Sequence, residues 1–291
     1  MHSTIESILR NDSQRLQAAL NLDSGSARIE VQCLLQSVLR VDRAWLLGHP
    51  EQSLDVDQHA RYMVLFERRL NGEPVAYLLG EREFFGLTFT VTPATLIPRP
   101  ETELLVELAL QHIPRQEKFQ ILDLGTGSGA IALSIARARP EAEIVAVDVS
   151  LPALEVAQLN ARRLNLSNVK LLHGNWFEAI RGNRFDIIVS NPPYVAVGDE
   201  HLNQGDVRFE PHSALASGDD GLEDIRHIVS QAKSYLNASG WLLFEHGHDQ
   251  AAQAHALLQQ TGFDRIFSAR DLAGIERVSG GTRPALTKTA G

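Results

Sequence analysis

Ile121-Leu122-Asp123-Leu124-Gly125-Thr126-Gly127-Ser128-Gly129 is the stretch on which the fold turns. A short apolar run stops in glycines at every second position, and a helical pattern carrying Ile131, Leu133, Ile135 and Ala136 follows at once. Strand, tight turn and helix in that order make the first half of a βαβ unit. The glycines let the chain turn sharply and let a ligand approach the backbone without meeting a Cβ. The helix start adds unpaired N–H groups suited to a carboxylate or phosphate.

Downstream the alternation repeats. Ile144-Val145-Ala146-Val147 reads as a second strand ending at Asp148, and Ser150 can cap a helix whose Leu154, Ala157, Ala161 and Leu164 share one face. Val169-Lys170-Leu171-Leu172 reads as a third strand and Phe185-Asp186-Ile187-Ile188-Val189 as a fourth. A helix with Ile225, Ile228, Val229 and Ala232 leads to a fifth, Trp241-Leu242-Leu243-Phe244. The pattern predicts an α/β fold with a doubly wound, mostly parallel sheet covered on both faces. Ligands of such sheets bind at the carboxyl ends of the strands. The glycine loop, Asp148 and a third motif, Asn191-Pro192-Pro193-Tyr194, all fall there.

Asp148 is placed to accept hydrogen bonds from ribose hydroxyls. Gly125-x-Gly127-x-x-Ala130 also satisfies a relaxed dinucleotide fingerprint, so the loop by itself indicates a ribose-bearing cofactor without naming it. A nicotinamide oxidoreductase, or a tight turn with no ligand, stays open at this point. Asn-Pro-Pro alone is ordinary loop punctuation. At the end of the fourth strand, behind a glycine loop and an acid, it suits the capture of a planar NH₂ group. The Asn191 side-chain oxygen and the Pro192 carbonyl can accept its two hydrogens, and the Tyr194 ring can pack on its plane. Two prolines stiffen the segment. Held so, a poorly nucleophilic nitrogen can be aimed at an electrophile while the acceptors stabilise the charge growing on it.

The first 80 residues show helical spacing and no strand pattern. Val31, Leu34, Leu35, Val38 and Leu39 make one buried face, Ile5, Ile8, Leu9 and Leu16 suggest an earlier helix, and Met63, Phe66 and Leu70 a later one from about Asp57. They make either a stabilising cap or a docking platform for a macromolecule. Phe84-Phe85-Gly86-Leu87-Thr88-Phe89-Thr90-Val91 predicts a hairpin, and Leu96-Ile97-Pro98-Arg99-Pro100-Glu101-Thr102-Glu103 a stiff linker opening a helix through about His112. The expected domains are 1–80, a hairpin and linker over 81–100, and 101–291.

With 291 residues, 44% hydrophobic, the chain can bury a full core. One cysteine, Cys33, excludes an internal disulfide and a cysteine-rich zinc site; its apolar neighbours suggest a small core residue. Met1-His2-Ser3-Thr4-Ile5-Glu6 lacks a basic segment followed by an apolar one, so no secretory leader is expected, nor any membrane span, and the protein is expected to be cytoplasmic. The net charge of −9 argues against a broad nucleic-acid footprint. Glu245-His246-Gly247-His248-Asp249 has two histidines without other metal-ligand spacing, and no metal is expected. Asp219, Asp220, Glu223 and Asp224 read as solvated helix capping, and Arg61, Arg68 and Arg69 as a solvated helix surface.

Glycine at alternate positions behind Asp123 resembles the first motif of the class I S-adenosylmethionine-dependent methyltransferases, and Asn-Pro-Pro-Tyr the amino-methyltransferases acting on adenine, guanine or glutamine. From about Pro74 to Arg283 the chain is similar to the release factor glutamine N5-methyltransferases, the HemK/PrmC family. The likeness lies in Tyr77-x-x-Gly80, Glu83-Phe84-Phe85-Gly86, Ile97 to Glu103, the glycine loop, Asn191 to Tyr194, Glu210-Pro211 with Ala214-Leu215, and Asp219-Asp220-Gly221-Leu222. The Pro-Arg-Pro-Glu-Thr-Glu stretch discriminates best.

The resemblance implies a seven-stranded sheet and an N-terminal helical domain that engages class I peptide-chain release factors. It implies S-adenosylmethionine as cofactor, S-adenosylhomocysteine as product, and methylation of the glutamine of a Gly-Gly-Gln motif, near the ribosome. By position, Gly125, Thr126, Gly127, Ser128, Gly129, Asp148, Trp176 and Asn191 would hold the cofactor. Asn191, Pro192, Pro193 and Tyr194 would form the amide pocket. Core packing is the plainer reading of Trp176. The competing functions are a nucleic-acid N-methyltransferase and a non-catalytic module that binds release factors.

Overall fold

The structure, a computed structural model, describes residues 4–285. Met1, His2 and Ser3, on which the reading against a leader partly rests, lie outside the described residues, as do residues 286–291 of the predicted third region. The chain divides into two compact units: residues up to Glu81 together with Asn203–Phe209, and Arg82–Leu202 together with the residues from Glu210 onward.

The first unit is helical: α1 Ile5–Leu20, α2 Ser24–Leu39, α3 Arg43–Gly48, α4 Val56–Leu70 and α5 Val75–Leu79. Thr4, Asp23, Asp42 and Asp55 cap the first four, each side chain accepting a backbone N–H of the first turn, and Asp55 with Gln58 closes a capping box. Ile5, Ile8, Leu9, Leu16, Val31, Leu34, Leu35, Val38 and Phe66 form the core, as the helical spacing predicts. Two expectations fail here. Cys33 is only half-buried. It lies two residues past Val31, about 200° round the helix, off the inward stripe. Arg69 is not on a solvated surface, since its side chain is 2% exposed and pairs with Glu30 and Asp206, each at 2.7 Å. It also donates to the carbonyls of Gly72 and Glu73 at 3.1 Å. Arg61 and Arg68 do face solvent.

The second unit opens with a hairpin, β1 Glu81–Phe84 and β2 Leu87–Thr90. Phe85 and Gly86 both take positive φ, 51° and 72°, the tight two-residue turn whose twist matches the strands. The first strand lies earlier than its apolar pattern suggested, because Glu81, Arg82 and Glu83 are exposed and give no alternation.

The main sheet holds β3 Gln120–Leu124, β4 Glu143–Asp148, β5 Val169–His173, β6 Phe185–Ser190, β7 Leu236–Glu245, β8 Asp264–Arg270 and β9 Glu276–Thr282. Their order is β5-β4-β3-β6-β7-β9-β8; the first five are parallel, and β9 runs antiparallel to both its neighbours. The helices are α6 Glu103–His112, α7 Ala130–Ala138, α8 Leu151–Arg163, α9 Glu223–Tyr235 and α10 Ala251–Gln260. Strand residues alternate between the faces. Ile121, Ile187 and Leu243 pack with α6 and α7, while Leu122, Ile188 and Leu242 pack with α9 and α10. At the start of α9, Asp220 accepts the Leu222 N–H at 3.2 Å and pairs with Arg226, which holds its carboxyl down at about 2. Among the described residues no helix is long and apolar enough to cross a membrane.

Candidate functional site

Three loops leave the sheet side by side. β3 lies between β4 and β6, with Leu124 opposite Val147 on one edge and Ser190 on the other. From β3 the chain runs outward to β4 and β5, then returns across β3 as β6, so a crevice opens where the winding reverses. The Ser190 hydroxyl donates to the Leu124 carbonyl at 2.8 Å and ties two of the strand ends together.

The glycine loop is shaped by its neighbours. Gly129, at φ 84°, caps α7, and a Cβ there would stand 2.9 Å from Leu133, so any larger residue is strained there. A Cβ on Gly125 would meet the Trp176 ring at 3.5 Å and the Asn191 carbonyl oxygen at 4.0 Å. The loop and the Asn-Pro-Pro-Tyr segment therefore face each other. Asp148 braces the loop, accepting the Gly127 N–H at 2.7 Å and the Ser150 N–H at 2.8 Å. Burial raises its pKa against those amide bonds. Behind the loop, Asp123 is fully buried and accepts the Thr126 hydroxyl at 2.7 Å, while its other oxygen makes no ordinary hydrogen bond among the described residues. Burial pushes that carboxyl up to about 7. Asn160, buried in α8, links loop to hairpin: it bonds the Thr90 N–H and carbonyl at 2.7 and 2.9 Å and donates to the Ser128 carbonyl at 2.9 Å.

These elements bound a cleft of about 1020 Å³, its open mouth included. Of the predicted residues, Gly125, Thr126, Gly127, Ser128, Asp148, Trp176, Asn191 and Pro193 line it. Gly129, Pro192 and Tyr194 are not on its walls: Gly129 caps the helix, and Pro192 is buried beneath. The Tyr194 hydroxyl instead donates to buried Glu245 at 3.1 Å. Trp176 does both things considered for it, lining the cleft and packing on the core, and it holds φ at 49°. A bulky residue in that region is strained, a mark of functional sites. Asn191 donates its NH₂ to the Thr102 hydroxyl at 3.2 Å.

Thr102, Arg99, Glu210 and Glu245 stood in motifs quoted from the sequence without an assigned site role, and Asn160 stood in none. Arg99 lines the cleft and pairs with Glu210, which is buried and accepts the Ile97 N–H at 3.0 Å. The Pro-Arg-Pro-Glu-Thr-Glu stretch was visible, but nothing in its spacing tells which side chains turn inward. His246 is buried, with its ring nitrogens 2.9 Å from the Ser279 hydroxyl and 2.8 Å from the Gly247 carbonyl. Among the described residues no group of three or more His, Cys, Asp or Glu could hold a metal ion.

Residues 7–80 match the family described as PrmC N-terminal domain, and residues 102–209 the family described as Methyltransferase small domain. The chain is 50% identical over 260 residues to the release factor glutamine methyltransferase of Bordetella pertussis, covering 89% of this chain and 96% of that one. It is 45% identical over 275 residues to the release factor glutamine methyltransferase of Coxiella burnetii, covering 94% and 97%. A methyltransferase crystal structure from Pyrococcus furiosus shares the fold at a TM-score of 0.53 with 19% identity, over 75% of this chain and 97% of that one.

Proposed function

The chain belongs to the release factor glutamine methyltransferases, and from that premise we propose that it methylates the side-chain nitrogen of the glutamine in the Gly-Gly-Gln motif of class I release factors, with S-adenosylmethionine as donor. One observation supports this reading above the rest: Asn191, its NH₂ held by Thr102, stands across the cleft from the glycine loop.

The residues present suit the donor. Asp148 offers carboxylate oxygens at the ribose position, Trp176 a ring face, and the start of α7, which no side chain caps, N–H groups toward a carboxylate. The buried acid Asp123 behind the loop favours a cationic ligand in front of it. Bound there, S-adenosylmethionine supplies a methyl group on sulfonium that needs no further activation. The protein's part is positioning. Asn191 accepts one amide hydrogen through Oδ1, which directs the nitrogen lone pair toward the loop side of the cleft. As positive charge grows on that nitrogen, this acceptor stabilises it. Tyr194, held from behind by Glu245, keeps the Pro-Pro turn in place.

Asp148→Ala is expected to weaken S-adenosylmethionine binding about 10- to 100-fold, the scale of one charge-assisted hydrogen bond, with loosening of the loop added. Calorimetric titration measures it, and unchanged affinity would remove Asp148 from the site.

Recognition of the release factor is assigned to the helical region, residues 1–80, and the protein is proposed to act in the cytoplasm near the ribosome without reading nucleic-acid sequence. The direct test incubates the protein with labelled S-adenosylmethionine and each purified release factor, then maps the modified residue by peptide mass spectrometry. Label on the Gly-Gly-Gln glutamine is expected. Label on added oligonucleotide alone would move the activity to nucleic acid.

A further inference from the structure

Glu245 ends β7 with its side chain fully buried and off the cleft walls. A buried carboxylate is costly unless its oxygens are satisfied, yet only Oε1 has a bond, from the Tyr194 hydroxyl at 3.1 Å, while Oε2 has none. The Thr102 hydroxyl lowers the Glu245 pKa, while Oε2 closes no hydrogen bond among the described residues. Burial is the larger effect and pushes the group up to about 7, with Glu101 adding to the rise and Arg277 opposing it. Thr102 already accepts the Asn191 NH₂ at 3.2 Å, so its own proton is free to point elsewhere. Glu245 Oε2 is a buried acceptor still lacking a donor.

We infer that Glu245 is a positioning residue for the methyl-transfer site, acting through the Thr102 hydroxyl on Asn191 and through the Tyr194 hydroxyl on the Pro-Pro turn. Ionised Glu245 orients the Thr102 hydroxyl, and Thr102 fixes which face of the Asn191 amide carries the oxygen. Polarisation along the chain Glu245–Thr102–Asn191 makes Asn191 Oδ1 a stronger acceptor for the amide hydrogen and for the charge developing on nitrogen. Tyr194, off the cleft wall, takes the second arm of the same carboxylate through its hydroxyl. This role rests on the methyltransferase reading above and assigns its site a charge that never touches the ligand.

The test is a double-mutant cycle on the full chain at pH 8.5, where the carboxylate is ionised, with release factor as substrate. E245Q keeps the shape and removes the charge; T102V removes the hydroxyl; T102S keeps it. E245Q and T102V are each expected to lower kcat about tenfold, the gap between a charge-assisted and a neutral hydrogen bond, with KM for S-adenosylmethionine unchanged. The double variant is expected to lose no more than either single, because both break one chain, and T102S to recover most of the turnover. Wild-type kcat in T102V, or losses that multiply in the double variant, would overturn the relay. An activity-free readout separates the two layers. The side-chain amide resonance of Asn191 in ¹⁵N-labelled protein is expected to shift in T102V and E245Q. If the wild type leaves release factors unmethylated, the substrate reading fails while this shift still decides for the relay; an unmoved resonance sinks it.

Discussion

Asn191→Ala is expected to lower turnover on release factor by about 10²–10³-fold, the loss seen when one preorganised polar contact to a developing charge is removed. The magnitude follows from where the side chain is held. Thr102 takes the Asn191 NH₂, so the side chain is oriented before any substrate arrives and costs no reorganisation during reaction. Alanine removes that acceptor and leaves the Thr102 hydroxyl without its donor. Cofactor affinity falls far less, because the glycine loop, Asp148 and Trp176 remain. Single-turnover kinetics with a parallel calorimetric titration separate the effects. Near-normal turnover would strip Asn191 of its role, and an equal fall in both quantities would make it a binding residue only.

Arg69→Ala is expected to cost about 3–5 kcal/mol of stability in the helical unit, the range for removing one partner of a buried ion pair. The lower end applies, since the Glu30 and Asp206 side chains keep 20% and 42% exposure and can regain water. Four interactions go at once: two ion pairs and the bonds to the Gly72 and Glu73 carbonyls. Thermal unfolding followed by circular dichroism should show an earlier transition carrying helical signal. Arg61→Ala, on the solvated side of α4, should change the midpoint little. A midpoint in Arg69→Ala equal to that of Arg61→Ala would return Arg69 to the ordinary surface position its sequence context suggested.

Arg69 shows why some of this molecule was unreadable in one dimension. On α4 it stands beside Arg68 and near Arg61, a pattern that elsewhere means a wet face. Its partner Asp206 lies 137 residues away, and no spacing rule reaches that far. β9 was hidden for a different reason. Its Glu-Arg-Val-Ser-Gly-Gly-Thr sequence is mostly polar or glycine, yet five of its seven residues are buried, so neither hydrophobicity nor alternation marks it. The glycines are there because neighbours crowd them: a Cβ on Gly280 would stand 2.5 Å from Leu243. Trp176 was legible as a residue of interest but not as a strained one, since its φ depends on the loop around it.

Local physics was enough for the rest. The five parallel strands, the helices between them, the glycine loop, Asp148 and Asn-Pro-Pro-Tyr were all recoverable from the sequence, because each is set by periodicity, turn chemistry and capping within a few residues. The α/β class and the location of the site at the carboxyl strand ends follow from those alone. Only the tertiary structure decided how the site is held. Thr102 reaches Asn191 across 89 positions and Glu245 reaches Tyr194 across 51. Such contacts exist only once chain closure has brought distant segments together, and their strength comes from burial that no single segment possesses.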